Sequence, residues 1–194
     1  MARIAAVLLA AGLSSRFGQA DKLLAPLDGL ALAQHAAGVL AQLPLHARLV
    51  VTRDVGMDWP GFGIVANDRP EAGLSRSLAL GVTAARALDA EAVLVALADM
   101  PFMPAAHFVA LIGRFTGSAS LVASTAGADP MPPALFGSDW FGELESLRGD
   151  RGAQALLRNA DLVRAPAQWL VDIDRPEDLA QARARQGGHG AAQP

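Results

Sequence analysis

Ile4–Lys22, which reads IAAVLLAAGLSSRFGQADK, decides the fold of this chain. Ile4–Leu9 is a continuous apolar run, which is typical of a strand buried on both faces of a helix-covered parallel sheet. The small and polar residues from Ala10 onward predict a loop directly after that strand. Because open α/β sheets bind ligands beyond the carboxyl ends of their strands, this loop is the first candidate site.

Strand-like apolar runs alternate with helical patterns along the rest of the chain. Ala92–Ala98 is a second continuous apolar run, and it ends at Asp99. We predict helices over Leu30–Leu43, Ser75–Leu88, Pro104–Phe115, Trp140–Leu147, Gly152–Asn159 and Pro176–Arg185. We predict further strands over Arg48–Thr52, Gly63–Ala66, Leu121–Ser124, Leu162–Ala165 and Trp169–Ile173, and a loop over Gly127–Pro133.

This alternation predicts an α/β fold, namely a single Rossmann-like three-layer domain with a mainly parallel (mixed) sheet. The 194 residues are enough for one domain with a sizeable core, and no repeat or linker divides them. We assign residues 1–186 to this domain. Residues 187–194 are small, polar and glycine-rich, so we expect a disordered tail there.

The composition excludes several classes of function. With 52% hydrophobic and 18% charged residues, the chain is not a disordered protein. A net charge of −3 argues against nucleic-acid binding, which usually needs a clustered basic patch. The absence of cysteine excludes disulfides, thiolate metal sites and cysteine nucleophiles. No apolar run approaches the ~20 residues of a membrane-spanning helix, so we expect no membrane partner.

The amino terminus has the outline of a short signal peptide, because Arg3 precedes the apolar run Ile4–Ala11. The run is short, however, and Arg16 and Lys22 follow where a cleavage region would lie. A buried strand explains the segment better. We therefore expect a cytoplasmic protein.

The loop within Leu8–Lys22 has the residues needed to hold phosphate groups. Small residues let the backbone approach a ligand, and its N–H groups can align on phosphate oxygens. Arg16 offers a planar fork of donors and Lys22 a compact charge, which suits a triphosphate. The alternative is an ordinary turn carrying a surface arginine and lysine, and we expect neither side chain in the core. The residues that we assign to nucleotide binding here are Leu9, Ala10, Ala11, Gly12, Ser14, Ser15, Arg16 and Lys22.

Two further motifs carry carboxylates. In LADMP, Asp99 ends a buried strand, where it is poorly solvated without a partner and suits Mg²⁺. The alternative is that Asp99 caps the next turn. In DIDRPEDL, Asp174 is well placed to cap the helix that begins near Pro176, but capping and metal binding are compatible because Asp172 supplies another carboxylate.

The segment NDRPEAGLSRSLALGV, from Asn67 to Val82, precedes and begins a predicted helix. Backbone and hydroxyl donors at this helix start can read a base or a ribose. The alternative is an amphipathic helix with an ordinary cap. The residues that we assign to nucleotide binding here are Asn67, Gly73, Ser75 and Ser77.

Taken in order, LLAAGLSSRFG with its following Lys22, ADMP and DIDRPEDL resemble the nucleotidyltransferases that activate sugars, isoprenoid precursors and the molybdenum cofactor. The resemblance covers about Ile4 to Arg185. Within this superfamily, the chain is most similar to the molybdenum cofactor cytidylyltransferase group. The similarity rests on the AAG loop, on NDRPEAGLSRSLALGV and on MPPALFGSDWFGELESLRGDRGAQALL. Met131 and Pro132 stand where the group has Gly-His.

The resemblance implies a Mg²⁺-dependent enzyme that transfers CMP from CTP to a molybdopterin-type acceptor and releases pyrophosphate. It implies Arg16, Lys22 and Asp99 as catalytic residues. It also implies Asp99 and Asp174 as metal ligands, with Asp172 as the fallback. The implied partners are CTP, the acceptor and, transiently, a molybdenum hydroxylase. The alternatives are a guanylyltransferase, a transferase with another acceptor, or a non-catalytic cofactor-binding accessory protein.

Overall fold

The computed structural model describes residues 2–14, 17, 21–149 and 153–187, with side chains as far as residue 184. Its strands are β1 (Ile4–Ala10), β2 (Pro26–Leu27), β3 (Leu30–Ala31), β4 (Ala47–Thr52), β5 (Gly63–Ala66), β6 (Ala92–Leu97), β7 (Leu121–Thr125), β8 (Met131–Gly137) and β9 (Asp161–Arg164). Its α-helices are α1 (Leu32–Ala41), α2 (Leu74–Ala87), α3 (Ala105–Ile112), α4 (Phe141–Ser146) and α5 (Pro176–Gly187). Short 3₁₀ helices span Lys22–Leu24, Pro70–Ala72, Ser138–Trp140, Leu156–Asn159 and Ala167–Trp169.

Seven strands form one sheet in the order β5-β4-β1-β6-β8-β7-β9, and β2 pairs with β3 in a separate hairpin. In the large sheet β1 runs parallel to both β4 and β6, β4 runs parallel to β5, and β7 runs parallel to β9. The antiparallel strand is β8, which lies between β6 and β7. The prediction of an α/β fold with a mainly parallel, mixed sheet is therefore confirmed.

The side chains of β1 divide the core into two layers. Ala6 and Leu8 pack in a cluster that includes residues of α1 and α3. Val7 and Leu9 point to the other face, into a cluster with residues of α2 and α4. Every residue of β1 is buried, because both faces of the sheet are covered. This three-layer packing places the carboxyl ends of β1 and β6 side by side.

The loop predicted over Gly127–Pro133 is wrong in its second half, because β8 begins at Met131. Glycines and prolines favour turns, and they outweighed the apolar residues that follow. The strand tolerates Pro132 and Pro133 because the pairing of β8 with β7 is irregular between Ala123 and Ser124. Proline, which lacks an N–H donor, is accepted at such irregular places in a sheet.

The strand predicted over Trp169–Ile173 is also wrong. A 3₁₀ helix ends at Trp169, and the following residues form no strand. The apolar pattern instead reflects burial, because Leu170 and Ile173 both lie in the core. The amide of Ile173 donates a 2.9 Å hydrogen bond to the carbonyl of Asp99, which brings this segment alongside the end of β6.

Several predicted helices have different ends in the structure. The pattern predicted over Leu30–Leu43 contains β3 before α1 begins at Leu32, and the helix predicted over Pro104–Phe115 is the shorter α3. Of the helix predicted over Gly152–Asn159, a 3₁₀ helix over Leu156–Asn159 is present, while Gly152 lies outside the described residues. Residue 187 ends α5, and residues 188–194 of the predicted tail are likewise outside them. Within the described ranges, no helix is long and apolar enough to cross a membrane.

Gly81 lets α2 approach the sheet closely. A Cβ atom at this position would lie 2.3 Å from Cγ1 of Val7 and 3.0 Å from Cγ2 of Val51. We expect Gly81→Ala to lower the free energy of unfolding by about 1–3 kcal/mol, as overpacked cores do. Urea unfolding measures this change.

Gly38→Ala is the matched control, because Gly38 lies within α1 and a Cβ atom there meets nothing within 4 Å. Alanine is the better helix former, so this variant should gain as much as ~1 kcal/mol. Equal stability of the two variants would contradict the proposed close packing at Gly81.

Candidate active site

A cavity of about 460 Å³ opens at the carboxyl ends of β1 and β6. Its walls come from the loop after β1, the start of α2, the end of β6 and the segment before α5. The cavity is lined by Leu9, Ala11, Gly12, Leu13, Ser14, Lys22, Leu23, Pro70, Glu71, Gly73, Leu74, Ser77, Leu97, Asp99 and Asp174. The four motifs singled out in the sequence therefore meet at one place.

Lys22 joins two of the predicted carboxylates at the cavity. Its Nζ donates a 2.7 Å hydrogen bond to Oδ2 of Asp99 and another of 2.7 Å to Oδ1 of Asp174. Both contacts are ion pairs, and the Lys22 side chain is only 9% exposed. The expectation that Lys22 stays outside the core is thus wrong, since a buried cation of this kind is stable when it is paired. The partner that a carboxylate at the end of β6 requires is this ammonium.

The surroundings of Lys22 raise its pKa. Burial by itself lowers the pKa of this amine, because it disfavours the charged form. The charges and hydrogen bonds of Asp99 and Asp174 outweigh that effect, so the pKa lies above its ordinary value of 10.5. Lys22 is the only lysine in the chain, which has no tyrosine or cysteine either. Because its pKa is raised, the ammonium of Lys22 stays charged at neutral pH.

The carboxylate of Asp99 has a second oxygen that fits a metal ion. Its Oδ1 atom is buried and has no hydrogen-bond partner among the described residues. A buried carboxylate oxygen without a partner is costly, and a hard cation satisfies it well. Across residues 2–14, 17, 21–149 and 153–184, no group of three or more His, Asp or Glu side chains could hold a metal. An ion at Asp99 and Asp174 would therefore complete its coordination with substrate oxygens or water.

Asp174 and Asp172 occupy different surroundings. Asp178 caps the start of α5, because its Oδ2 accepts hydrogen bonds from the amides of Asp174 and Arg175. Asp172 does not line the cavity. Burial is the largest effect on the pKa of Asp172 and raises it. A backbone hydrogen bond lowers this pKa, the charges of Asp174 and Asp99 raise it, and Lys22 lowers it least, so the pKa lies above its ordinary value. Of the two candidates for the second ligand, Asp174 is the one in contact with Lys22.

The residues predicted from the start of α2 are only partly at the cavity. Gly73, whose φ of 88° favours glycine, and Ser77 both line it. The hydroxyl of Ser75 donates a 2.6 Å hydrogen bond to the carbonyl of Gly149. Nδ2 of the buried Asn67 donates to Oγ of Ser77 at 2.9 Å, so these polar groups hold the start of the helix. Contact of Asn67, Ser75 or Ser77 with a nucleotide stays a prediction.

Two predicted residues of the loop, Ser15 and Arg16, lie outside the described residues. Ala10 is buried in the core and does not line the cavity. The roles assigned to these three residues therefore stay predictions.

A charged network lies at the base of the loop, and its residues were not among those predicted from the sequence. Asp21 accepts hydrogen bonds from Oγ of Ser14 and from the amide of Leu23, and it forms a 2.7 Å ion pair with Arg53. Arg53 directly follows β4, so the rule that ligands lie beyond the carboxyl ends of strands identifies it from the sequence. Glu71 was also overlooked, although it lies in the NDRPEAGLSRSLALGV segment and lines the cavity.

Known proteins resemble both the sequence and the fold. Residues 6–165 match the MobA-like NTP transferase domain, and the chain belongs to this family. Asp174 lies beyond the matched residues. The purine catabolism protein PucB of Bacillus subtilis (strain 168) is 31% identical over 196 residues, which cover 91% of this chain and 94% of PucB.

Solved structures share the whole architecture. A homologue of Mycobacterium tuberculosis Rv0371c from Mycobacterium sp. strain JC1 is 25% identical with a TM-score of 0.78, covering 96% of this chain and 98% of its own. Rv0371c of M. tuberculosis H37Rv, solved in complex with manganese, is 20% identical with a TM-score of 0.73, covering 94% and 98%. At this identity the second likeness concerns the fold alone.

Lys22→Met removes the ammonium but keeps an unbranched side chain between Asp99 and Asp174. We expect the free energy of unfolding at pH 8 to fall by about 3 kcal/mol, the low end for a broken buried ion pair, because Asp174 is partly hydrated. Urea unfolding at fixed pH measures this loss.

The pH dependence of the same stabilisation provides the control. Because the folded-state pKa of Lys22 is raised, the contribution is complete below pH 10.5 and is lost as pH rises through the folded-state pKa. The variant should lack this alkaline loss. An equal alkaline loss in both proteins would show that the ion pairs do not stabilise the fold.

Proposed function

We propose that this protein transfers a nucleoside monophosphate from a nucleoside triphosphate to a phosphorylated acceptor and releases pyrophosphate. The observation that carries the proposal is the meeting of Lys22, Asp99 and Asp174 at a cavity whose wall is the glycine-containing loop after β1. Membership of the MobA-like NTP transferase family supports the same reaction class.

The cavity has the features that phosphoryl and nucleotidyl transfer require. Such reactions need little covalent help from a protein, and they depend on positioning and on neutralising charge. Gly12 and its neighbours line the cavity, where the absence of a side chain at Gly12 leaves its backbone accessible to a phosphate, and Lys22 supplies a cation in the same cavity. Arg16 is the second cation that we assign to the triphosphate. Since the acceptor phosphate is already ionised, no protein group needs to remove a proton from it.

Asp99 and Asp174 are the residues that would hold Mg²⁺. Each has an oxygen 2.7 Å from the same Lys22 Nζ, so the two oxygens lie within twice that distance of each other. Two carboxylates together with substrate phosphates are a common Mg²⁺ coordination in proteins. When bound, the ion would neutralise charge on the phosphates and on the departing pyrophosphate. The manganese complex of Rv0371c supports a divalent metal in this fold.

We further propose CTP as the nucleotide and a molybdopterin-type molecule as the acceptor. The AAG sequence at Ala10–Gly12 is the feature that favours cytidine over guanosine. A site built around one set of hydrogen bonds rejects another base, because its buried polar groups are left unpaired. The similarity of Met131–Leu157 to the molybdenum cofactor cytidylyltransferase group supports the acceptor. A transient contact with a molybdenum hydroxylase would follow from it.

The decisive experiment compares CTP, GTP, ATP and UTP with Mg²⁺ by thermal shift and by transfer of labelled nucleotide. CTP should stabilise the protein most and should be transferred. Asp99→Asn should lower turnover by about 10²-fold or more, because it loses charge at the reacting phosphates.

Asp161→Asn is the control for this experiment, because Asp161 forms an exposed ion pair with Arg114 at the start of β9, away from the cavity. Its turnover should equal that of the wild type. Comparable stabilisation by GTP and CTP would refute the choice of base, and binding of nucleotide without any transfer would favour an accessory role.

Lys22 stands between the two carboxylates proposed for the metal, so we expect metal binding to depend on the nucleotide. Without nucleotide, the wild type should bind Mn²⁺ weakly because the ammonium repels the ion. Lys22→Met should bind Mn²⁺ at least ~10-fold more tightly under the same conditions. Electron paramagnetic resonance of free Mn²⁺ measures both affinities.

The double variant Lys22→Met, Asp99→Asn is the control for that gain. It should lose the added affinity, because one of the two carboxylates is gone. Identical Mn²⁺ affinities of the wild type and Lys22→Met would place the metal elsewhere.

A further inference from the structure

We propose that Asp21, anchored by Arg53, is a positioning residue that holds Lys22 at the carboxylates. The inference rests on the proposed function, because it gives Asp21 a part in presenting Lys22 to the triphosphate. It concerns residues that neither the motifs nor the family resemblance singled out. Asp21 does not line the cavity, so it would act through Lys22 rather than on the substrate.

The carboxylate of Asp21 fixes the backbone on both sides of the loop. Its Oδ1 accepts a 3.0 Å hydrogen bond from the amide of Leu23, which caps the 3₁₀ turn that begins at Lys22. The same atom accepts a 3.1 Å hydrogen bond from Oγ of Ser14. Oγ of Ser14 in turn accepts a 3.3 Å hydrogen bond from the amide of Lys22. The two ends of the loop between residues 14 and 21 are thereby tied together next to Lys22.

Arg53 connects this arrangement to the sheet. Its guanidinium donates a 2.7 Å hydrogen bond to Oδ2 of Asp21. The two oxygens of Asp21 therefore have different partners, because Oδ1 accepts from Leu23 and Ser14. The side chains of Asp21 and Arg53 are 18% and 32% exposed. A charged hydrogen bond that is partly withdrawn from water is stronger than an ordinary surface ion pair.

The support for Arg53 is itself rigid. Arg53 directly follows β4, which pairs with β1 along six residues of each strand. The neighbouring Thr52 is buried, and its hydroxyl exchanges hydrogen bonds with the backbone of Asp54. A series of polar contacts through Arg53 and Asp21 therefore fixes the position of Lys22 relative to the central strands. Such precision matters because a displacement of about 1 Å can cost as much as 10²-fold in rate.

The single lysine makes this proposal directly measurable. Protein labelled with ¹³C,¹⁵N-lysine has one lysine side chain to observe by NMR, that of Lys22. Asp21→Ala removes every contact of the carboxylate. We expect it to shift and broaden the Lys22 Nζ signal of the nucleotide-free protein and to weaken binding of CTP by about 10-fold. Asp21→Asn keeps an oxygen that accepts from Leu23 and Ser14 but loses the ion pair with Arg53, so it should shift the Lys22 signal less and weaken binding of CTP by about 3-fold.

Glu145→Gln is the matched control. Glu145 forms a 2.8 Å ion pair with Arg86 that joins α4 to α2 away from the cavity. The Glu145→Gln variant should change the melting temperature about as much as Asp21→Asn does. It should leave the Lys22 signal and the affinity for CTP unchanged. Arg53→Gln combined with Asp21→Asn should be no worse than the more severe single variant, because both changes remove the same ion pair.

The outcomes separate this inference from the proposed function. If the Lys22 signal and nucleotide affinity of both Asp21 variants match those of Glu145→Gln, the positioning role is overturned. Should Asp21→Ala fail to fold, Asp21→Asn and Arg53→Gln decide the question by the same two measurements. A shifted Lys22 signal in a protein whose wild type transfers no nucleotide would support the positioning role and refute the proposed function.

Discussion

The ammonium of Lys22 holds together three parts of the chain that are far apart in sequence. It lies on the turn that follows the first loop, and it contacts Asp99 at the end of β6 and Asp174 before α5. Without a cation, two neighbouring carboxylates in a partly buried place repel each other. Without the carboxylates, burial would lower the pKa of the amine. Lys22, Asp99 and Asp174 therefore form a unit of three charges in the wall of the cavity, and each depends on the others.

The sheet and the segment before α5 bring these three charges together. Parallel pairing of β1 with β6 brings the loop and Asp99 to one edge. The coil after the last 3₁₀ helix runs past that edge because the amide of Ile173 bonds to the carbonyl of Asp99. Ile173 is fully buried with Leu27 and Leu32, so the position of Asp174 is fixed by packing as well as by charge. Backbone, core and site thus constrain one another here.

Sequence patterns were sufficient to predict the regular strands and helices at the centre of the fold. The apolar runs at Ile4–Leu9 and Ala92–Ala98 correctly predict the two central strands, and the rule for α/β sheets correctly places the cavity at their ends. Trp169–Ile173 shows the limit, since an apolar pattern reports burial and does not distinguish a strand from a packed coil. The strand that begins at Met131 was hidden because local turn preference and long-range pairing disagree there. The pairing of side chains was hidden for a different reason: Lys22 looks like a surface residue of a polar loop, and only the fold reveals that two carboxylates surround it.

The late position of Asp174 in the chain has a consequence for how the protein is made. A ribosome releases the amino-terminal residues first, and domains begin to fold as they emerge. The last strand of the large sheet, β9, ends at Arg164, so all seven strands are synthesised before Asp174 is added. A chain that stopped between Arg164 and Asp174 would contain every strand but would lack one of the two carboxylates that Lys22 contacts. The unit of three charges is therefore completed only after the last strand of the sheet has been made.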